Sequence, residues 1–118
     1  MIFCIPVDAS GQVGNGWGRA QSVAIAETDD AGHLVSWQTH SVGWDALHGQ
    51  GTEGSHHARI VRFLRTWQVE CVVAEHMGLG MRRVMQAMNI PVFVGDAGDA
   101  RAAVASAAQL LADAARAA

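Results

Sequence analysis

A chain of 118 residues is long enough to bury about two-thirds of its unfolded surface as one domain, with no need of disulfide or metal staples. Half of its residues are hydrophobic and 16% are charged, which excludes a disordered chain. Eight Lys and Arg against eleven Asp and Glu leave a net charge of −3, which speaks against nucleic-acid binding, because that rests on a surplus of cations facing phosphate.

Ile2-Phe3-Cys4-Ile5-Pro6-Val7 is a continuous apolar run closed by Asp8-Ala9-Ser10-Gly11, the pattern of a strand buried on both faces and followed by a loop. Residues 21–28 and 33–41 alternate apolar and polar around the turn Asp29-Asp30-Ala31-Gly32 and read as an antiparallel hairpin. From Val42 to Gly54 the chain is rich in glycine and shows little periodicity, so a long loop carrying His48 is expected, and residues 43–54 should be the least ordered internal segment. Ser55 is placed to cap a helix whose positions Ile60, Phe63, Leu64 and Trp67 form one apolar stripe. A strand over 70–74, a helix over 79–88, a strand over 91–94 and an amphipathic helix over 99–116 complete an order β-β-β-α-β-α-β-α. Alternating strands and helices with short connections impose parallel strands, so the expectation is a single α/β domain over 1–118 with a five-stranded mixed sheet and helices on both faces. No apolar span near the roughly 20 residues of a membrane helix and no basic-then-apolar leader is present, which predicts a cytoplasmic protein without membrane contact.

Cys4 and Cys71 lie inside apolar runs and read as small buried hydrophobes. Arg59, Arg62 and Arg65 read as a solvated helix face. The stretch Glu75-His76-Met77-Gly78-Leu79-Gly80-Met81 follows a buried strand and opens a helix, the place where an open α/β sheet receives its ligand. Parallel strands deliver their C-terminal ends to one edge, so Asp8, Glu75, His76 and Asp96 should emerge along a common rim. His57 shares a helical stripe with Ile60 and Leu64 and should point toward the sheet, with His56 about 100° away and His48 nearby in the preceding loop. Imidazoles supply neutral nitrogen donors to borderline metals at neutral pH, which makes His76, His57, His48 and His56 candidate ligands of a metal or cluster. No zinc-type spacing accompanies them. Gly78 and Gly80 allow tight turning and leave amides, with that of Leu79, unblocked at a helix N-terminus, which attracts anions. Met81, Met85 and Met88 share a face and pack on the sheet, while Met77 in the turn has the option of facing a bound cluster. Trp17 and Trp44 sit in loops and are expected to wall the pocket; Trp37 and Trp67 are expected in the core.

Gly16-Trp17-Gly18-Arg19-Ala20, the His-rich approach to Ser55-His56-His57-Ala58-Arg59, and Gly78-Leu79-Gly80-Met81 together resemble the dinitrogenase iron–molybdenum cofactor biosynthesis family, the NifX/NafY-type domain, along essentially the whole chain. The turn after the fourth strand departs from that family in carrying Glu75 and His76 where many members have glycines. The resemblance implies a ribonuclease-H-like three-layer α/β fold and a non-catalytic protein that binds or carries iron–molybdenum cofactor, a precursor, or another iron–sulfur type cluster. Its partners would be the cluster and a cofactor-donor or acceptor protein. On that reading Arg19, Met77 and the Gly78, Leu79 and Gly80 backbone hold the anionic cargo, His76, His57, His48 and His56 supply ligands, and the protein is a monomer or weak homodimer. Two alternatives stand beside it. One is a nuclease-like enzyme in which Asp8, Glu75 and Asp96 hold Mg²⁺ for phosphoryl transfer; the other is a domain that recognises a small anion or a partner protein.

Overall fold

The computed structural model describes residues 1–14, 16–95 and 98–117. Five strands, β1 (Ile2–Val7), β2 (Ser22–Thr28), β3 (Leu34–Ser41), β4 (Cys71–Ala74) and β5 (Val92–Val94), form one sheet in the order β3-β2-β1-β4-β5. β1 pairs antiparallel with β2, from Ile2 opposite Glu27 to Val7 opposite Ser22, and parallel with β4, which pairs parallel with β5. The mixed α/β sheet of the sequence reading is therefore present. The continuous apolar run of β1 has its explanation in this order: the strand is central, and both of its faces are covered.

Alternation along the strands divides the interior in two. Cys4, Val23, Ile25, Val72 and Ala74 face α2 (Glu53–Thr66) and α3 (Leu79–Ala87), where Ile60, Leu64, Met77, Met81 and Met85 meet them. Phe3, Ile5, Val7, Ala24, Ala26, Cys71 and Val73 face α4 (Ala100–Ala117), whose Ala100, Val104, Ala107 and Ala108 are small enough to bring that helix close. The hairpin turn is built by Asp29, whose Oδ1 accepts from the amides of Ala31 (3.0 Å) and His33 (2.8 Å). Gly32 follows at φ 87°, and a Cβ there would stand 3.2 Å from the Ala108 carbonyl oxygen of α4, so only glycine serves both needs.

Three expectations need correction. The segment after β3 is not one long loop: Trp44–Leu47 forms a short helix, α1, so the observed order is β-β-β-α-α-β-α-β-α. Its anchor is Trp44, 2% exposed, whose ring packs edge-on against Phe63 at 5.6 Å. Helix α2 starts earlier than expected because Thr52 is its cap. The Thr52 hydroxyl accepts from the Ser55 amide (3.0 Å) and Ser55 Oγ accepts from the Thr52 amide (3.1 Å), the reciprocal box that satisfies two helix-end donors at once. The tryptophans also depart from expectation. Trp17 and Trp44 are themselves in the core, Trp17 while also walling a cleft, whereas Trp37 and Trp67 are half-buried at the core's edge. Sequence position in a loop misled here, since a loop folded back over a sheet buries its large rings as a strand does.

Both cysteines are fully buried and unbridged. Burial raises both thiols; that of Cys71 is pushed up to about 12, because an apolar interior disfavours the thiolate. Neither is available to ligate a cluster. No described helix is long and apolar enough to cross a membrane.

Candidate functional site

Where β4 ends, Glu75-His76-Met77-Gly78 turns into α3, and two other segments close over this turn. The Trp17 amide donates to the His76 carbonyl (2.9 Å) and the Trp44 amide to the Ala20 carbonyl (2.9 Å), so the 16–20 loop is stitched to the strand-end turn on one side and to α1 on the other. The Trp17 and Trp44 rings meet edge-on at 5.3 Å beneath it. These connections leave a cleft of about 580 Å³ between the 16–20 loop, the α1–α2 connection, the first turn of α2 and the start of α3.

Arg19, His48, His56, His57, His76, Gly78, Leu79 and Gly80 all line this cleft. Eight of the nine residues named from sequence as cluster contacts are thus brought together. Met77 is the exception: its side chain is 3% exposed within the core, and Met81 lines the cleft instead. The turn after β4 breaks the strand's alternation: Glu75 and His76 are both exposed, and Met77 rejoins the face of Val72 and Ala74.

The four histidines are not equivalent. His56 Nε2 lies 2.7 Å from the Gly18 carbonyl and its Nδ1 lies 2.9 Å from Arg59 Nη1. A guanidinium only donates, so Nδ1 accepts and the ring proton sits on Nε2, from which it donates to Gly18. Both nitrogens are therefore spent, and His56, 3% exposed, acts as a strut under the 16–20 loop rather than as a ready ligand. This reverses the expected orientation, because His56 shares the buried row of Ile60 and Leu64. Two hydrogen bonds are what make a buried imidazole tolerable there. Arg59 leaves the expected solvated face for the same reason, while Arg62 and Arg65 remain exposed.

His57 reaches sideways to α3, with its side chain 19% exposed and Nε2 3.7 Å from Glu53 Oε1. A Cβ on Gly80 would stand 2.9 Å from His57 Cε1, so the glycine makes the slot for the ring. Gly78 caps α3 at φ −64° with no side-chain hydrogen bond. Close approach is thus what requires glycine at 80, whereas a Cβ at Gly78 would meet open space, and the α3 cap provides no side-chain acceptor for the first-turn amides. His48 stands beside His56 with ring centroids 5.2 Å apart. Glu53 was not anticipated from sequence, although its position four residues before His57 puts both on one helix face.

The acidic rim divides. Asp8 Oδ1 accepts from the Ser10 amide (2.9 Å), Ser10 Oγ (2.7 Å) and the Gln12 amide (3.0 Å), and these bonds hold its carboxyl below the usual range. Asp8 borders a different cleft of about 570 Å³, on the α4 side, with Trp37, Asp99 and Arg101. Asp99 caps α4 by accepting from the Ala102 amide (2.8 Å). Glu75 is exposed and lies outside the histidine-lined cleft, and Asp96 falls outside the described residues. Among the described residues no group of three or more His, Cys, Asp or Glu is arranged around a single metal ion.

A family model for dinitrogenase iron–molybdenum cofactor proteins matches residues 1–110. The chain belongs to this family. Among solved structures, the crystal structure of PH0822 is similar over 97% of this chain and 91% of its own, with a TM-score of 0.67 at 14% identity. The NMR structure of a Thermotoga protein proposed to be NifB, of the DUF35 family, matches over 87% and 83%, with a TM-score of 0.64 at 21% identity. At these identities the two likenesses show a shared fold. No curated protein matches the sequence significantly. For an iron–molybdenum cofactor family member, the buried thiols and the absence of a three-ligand cage among the described residues leave imidazoles, a guanidinium and backbone amides as the groups the cleft offers.

Proposed function

We propose that this protein binds and carries an anionic metal–sulfur cluster, such as iron–molybdenum cofactor or a precursor, in the histidine-lined cleft, and that it does no chemistry on it. The observation that carries the reading is the meeting of His57, His76, His48 and Arg19 with the unacceptored amides of α3 on one 580 Å³ cleft. A single ion needs three or four protein ligands. A cluster brings its own bridging sulfides and asks for one or two protein donors plus charge compensation. His76 and His57 are the donors of this proposal, with His48 at the cleft mouth; Arg19 and the Leu79 and Gly80 amides offset the cargo's negative charge. The ribonuclease-H-like assignment, a cytoplasmic location, a donor or acceptor partner protein and a monomeric or weakly dimeric state belong to the same proposal.

A carrier of this kind has a direct test. Anaerobic reconstitution of the chain with iron, sulfide and molybdate, followed by metal analysis and visible absorption, should load the parent. His57→Ala and His76→Ala should each retain distinctly less metal, with the paired substitution losing most of it. Equal loading of all three variants would remove the ligand assignment. Magnesium-dependent cleavage of an RNA–DNA hybrid, abolished by Asp8→Asn, would replace the carrier with an enzyme.

A further inference from the structure

The cleft contains a carboxylate for which cluster carriage has no use. Glu53 opens α2, and its Oε1 lies 3.7 Å from His57 Nε2. A Cβ on Gly80 would stand 3.2 Å from the same oxygen, so the carboxylate hangs over the first turn of α3, the place a bound oxyanion would choose. Its side chain is 82% exposed and free to swing. The other titratable groups on the cleft are His48, His56, His57, His76 and Arg19; Glu53 alone carries negative charge. Trp17, on the wall of the same cleft, has an indole nitrogen that is buried without a hydrogen-bond partner.

We propose that Glu53 determines the specificity of this cleft: its carboxylate stands where a simple oxyanion would sit, so phosphate-like ions are refused and a ligand that bonds to the His57 nitrogen is admitted. The inference rests on the cluster-carrying reading and names what that site rejects. A phosphate or sulfate ion approaching the α3 amides meets a like charge within a few ångströms, a range at which repulsion persists even at the dielectric of water. It also offers His57 no coordinate bond, and Glu53 Oε1 already stands 3.7 Å from Nε2. A cluster metal forms a coordinate bond to Nε2 instead, Glu53 loses its partner, and a long exposed side chain moves out at little cost. Discrimination of this kind works by opposing the wrong ligand as much as by attracting the right one.

The test titrates the full chain, Glu53→Gln and a control, Glu27→Gln on the exposed side of β2, with inorganic phosphate and separately with tetrathiomolybdate, following the Leu79 and Gly80 amide resonances. Glu53→Gln should bind phosphate at these amides about fivefold more tightly than the parent and Glu27→Gln. Equal phosphate affinity in all three proteins, including none in any, overturns the assignment. The tetrathiomolybdate titration judges the carrier reading separately. Phosphate gain without tetrathiomolybdate binding to the parent keeps the role of Glu53 and removes the cargo; tetrathiomolybdate binding without phosphate gain does the reverse.

Discussion

Two neighbouring imidazoles, those of His56 and His57, are put to opposite uses. His56 is consumed by Gly18 and Arg59, so its contribution to binding passes through the 16–20 loop, whereas His57 keeps Nε2 facing a mobile carboxylate. Partners that hold a binding loop in place without touching the ligand are commonly worth about 10–100-fold in metal affinity. His56→Ala should therefore weaken cluster binding by roughly that range, while His56→Gln, whose amide can still donate to Gly18, should recover most of it; isothermal titration of the reconstituted cargo reads both. A ligand role for His56 would show instead as equal loss in both variants. The histidine cluster itself was legible from residue type and strand-end position. Which ring turns inward was not, because 56 and 57 flank the same stripe and the choice depends on Gly18 and Gly80, partners distant in sequence. Glu53 had a legible signal, its four-residue spacing from His57, but a charged residue at a helix start reads first as a response to the helix dipole.

At the scale of elements, the runs that became β1, β2, β3, β4 and β5 were visible because burial on two faces writes continuous apolar sequence and burial on one face writes alternation. Helix α1 was not visible. Four residues are too few for periodicity, and its stability comes from Trp44 packing on Phe63 and Trp17, contacts that only the folded chain creates. The turns after β1 and within the β2–β3 hairpin are each organised by one aspartate, Asp8 and Asp29, whose carboxyl is held below its ordinary value near 3.8 by hydrogen bonds from the turn. A carboxyl lowered in the folded state contributes stability at pH values above its unfolded value and loses it as pH falls through the folded one. Urea unfolding midpoints should therefore drop as pH falls below about 3.8. Asp8→Asn, which keeps an acceptor but cannot titrate, should flatten the decline. An unchanged acid slope would show that the Asp8 turn is as well formed in the unfolded ensemble as in the folded chain.

Across the whole molecule, the sheet separates two interiors and two clefts. The α4 side holds Asp8, Trp37 and Arg101, the α2–α3 side holds the histidines, and the common rim expected from parallel strands splits between them. Parallel topology determines which edge the strand ends reach; the turn that follows each strand decides which face a residue serves, as the Ser10 and Gln12 amides do in holding Asp8. The central claim is therefore one of location, and a paramagnetic iron–sulfur cluster reports location directly by broadening nearby nuclei. In spectra of the ¹⁵N-labelled protein loaded with such a cluster, the ring signals of His76 and His57 and the amides of Leu79 and Gly80 should broaden first. His33 at the hairpin turn and Trp37 on the opposite face should stay sharp. Broadening centred on Asp8, Trp37 and Arg101, with His57 and His76 unaffected, would contradict the account.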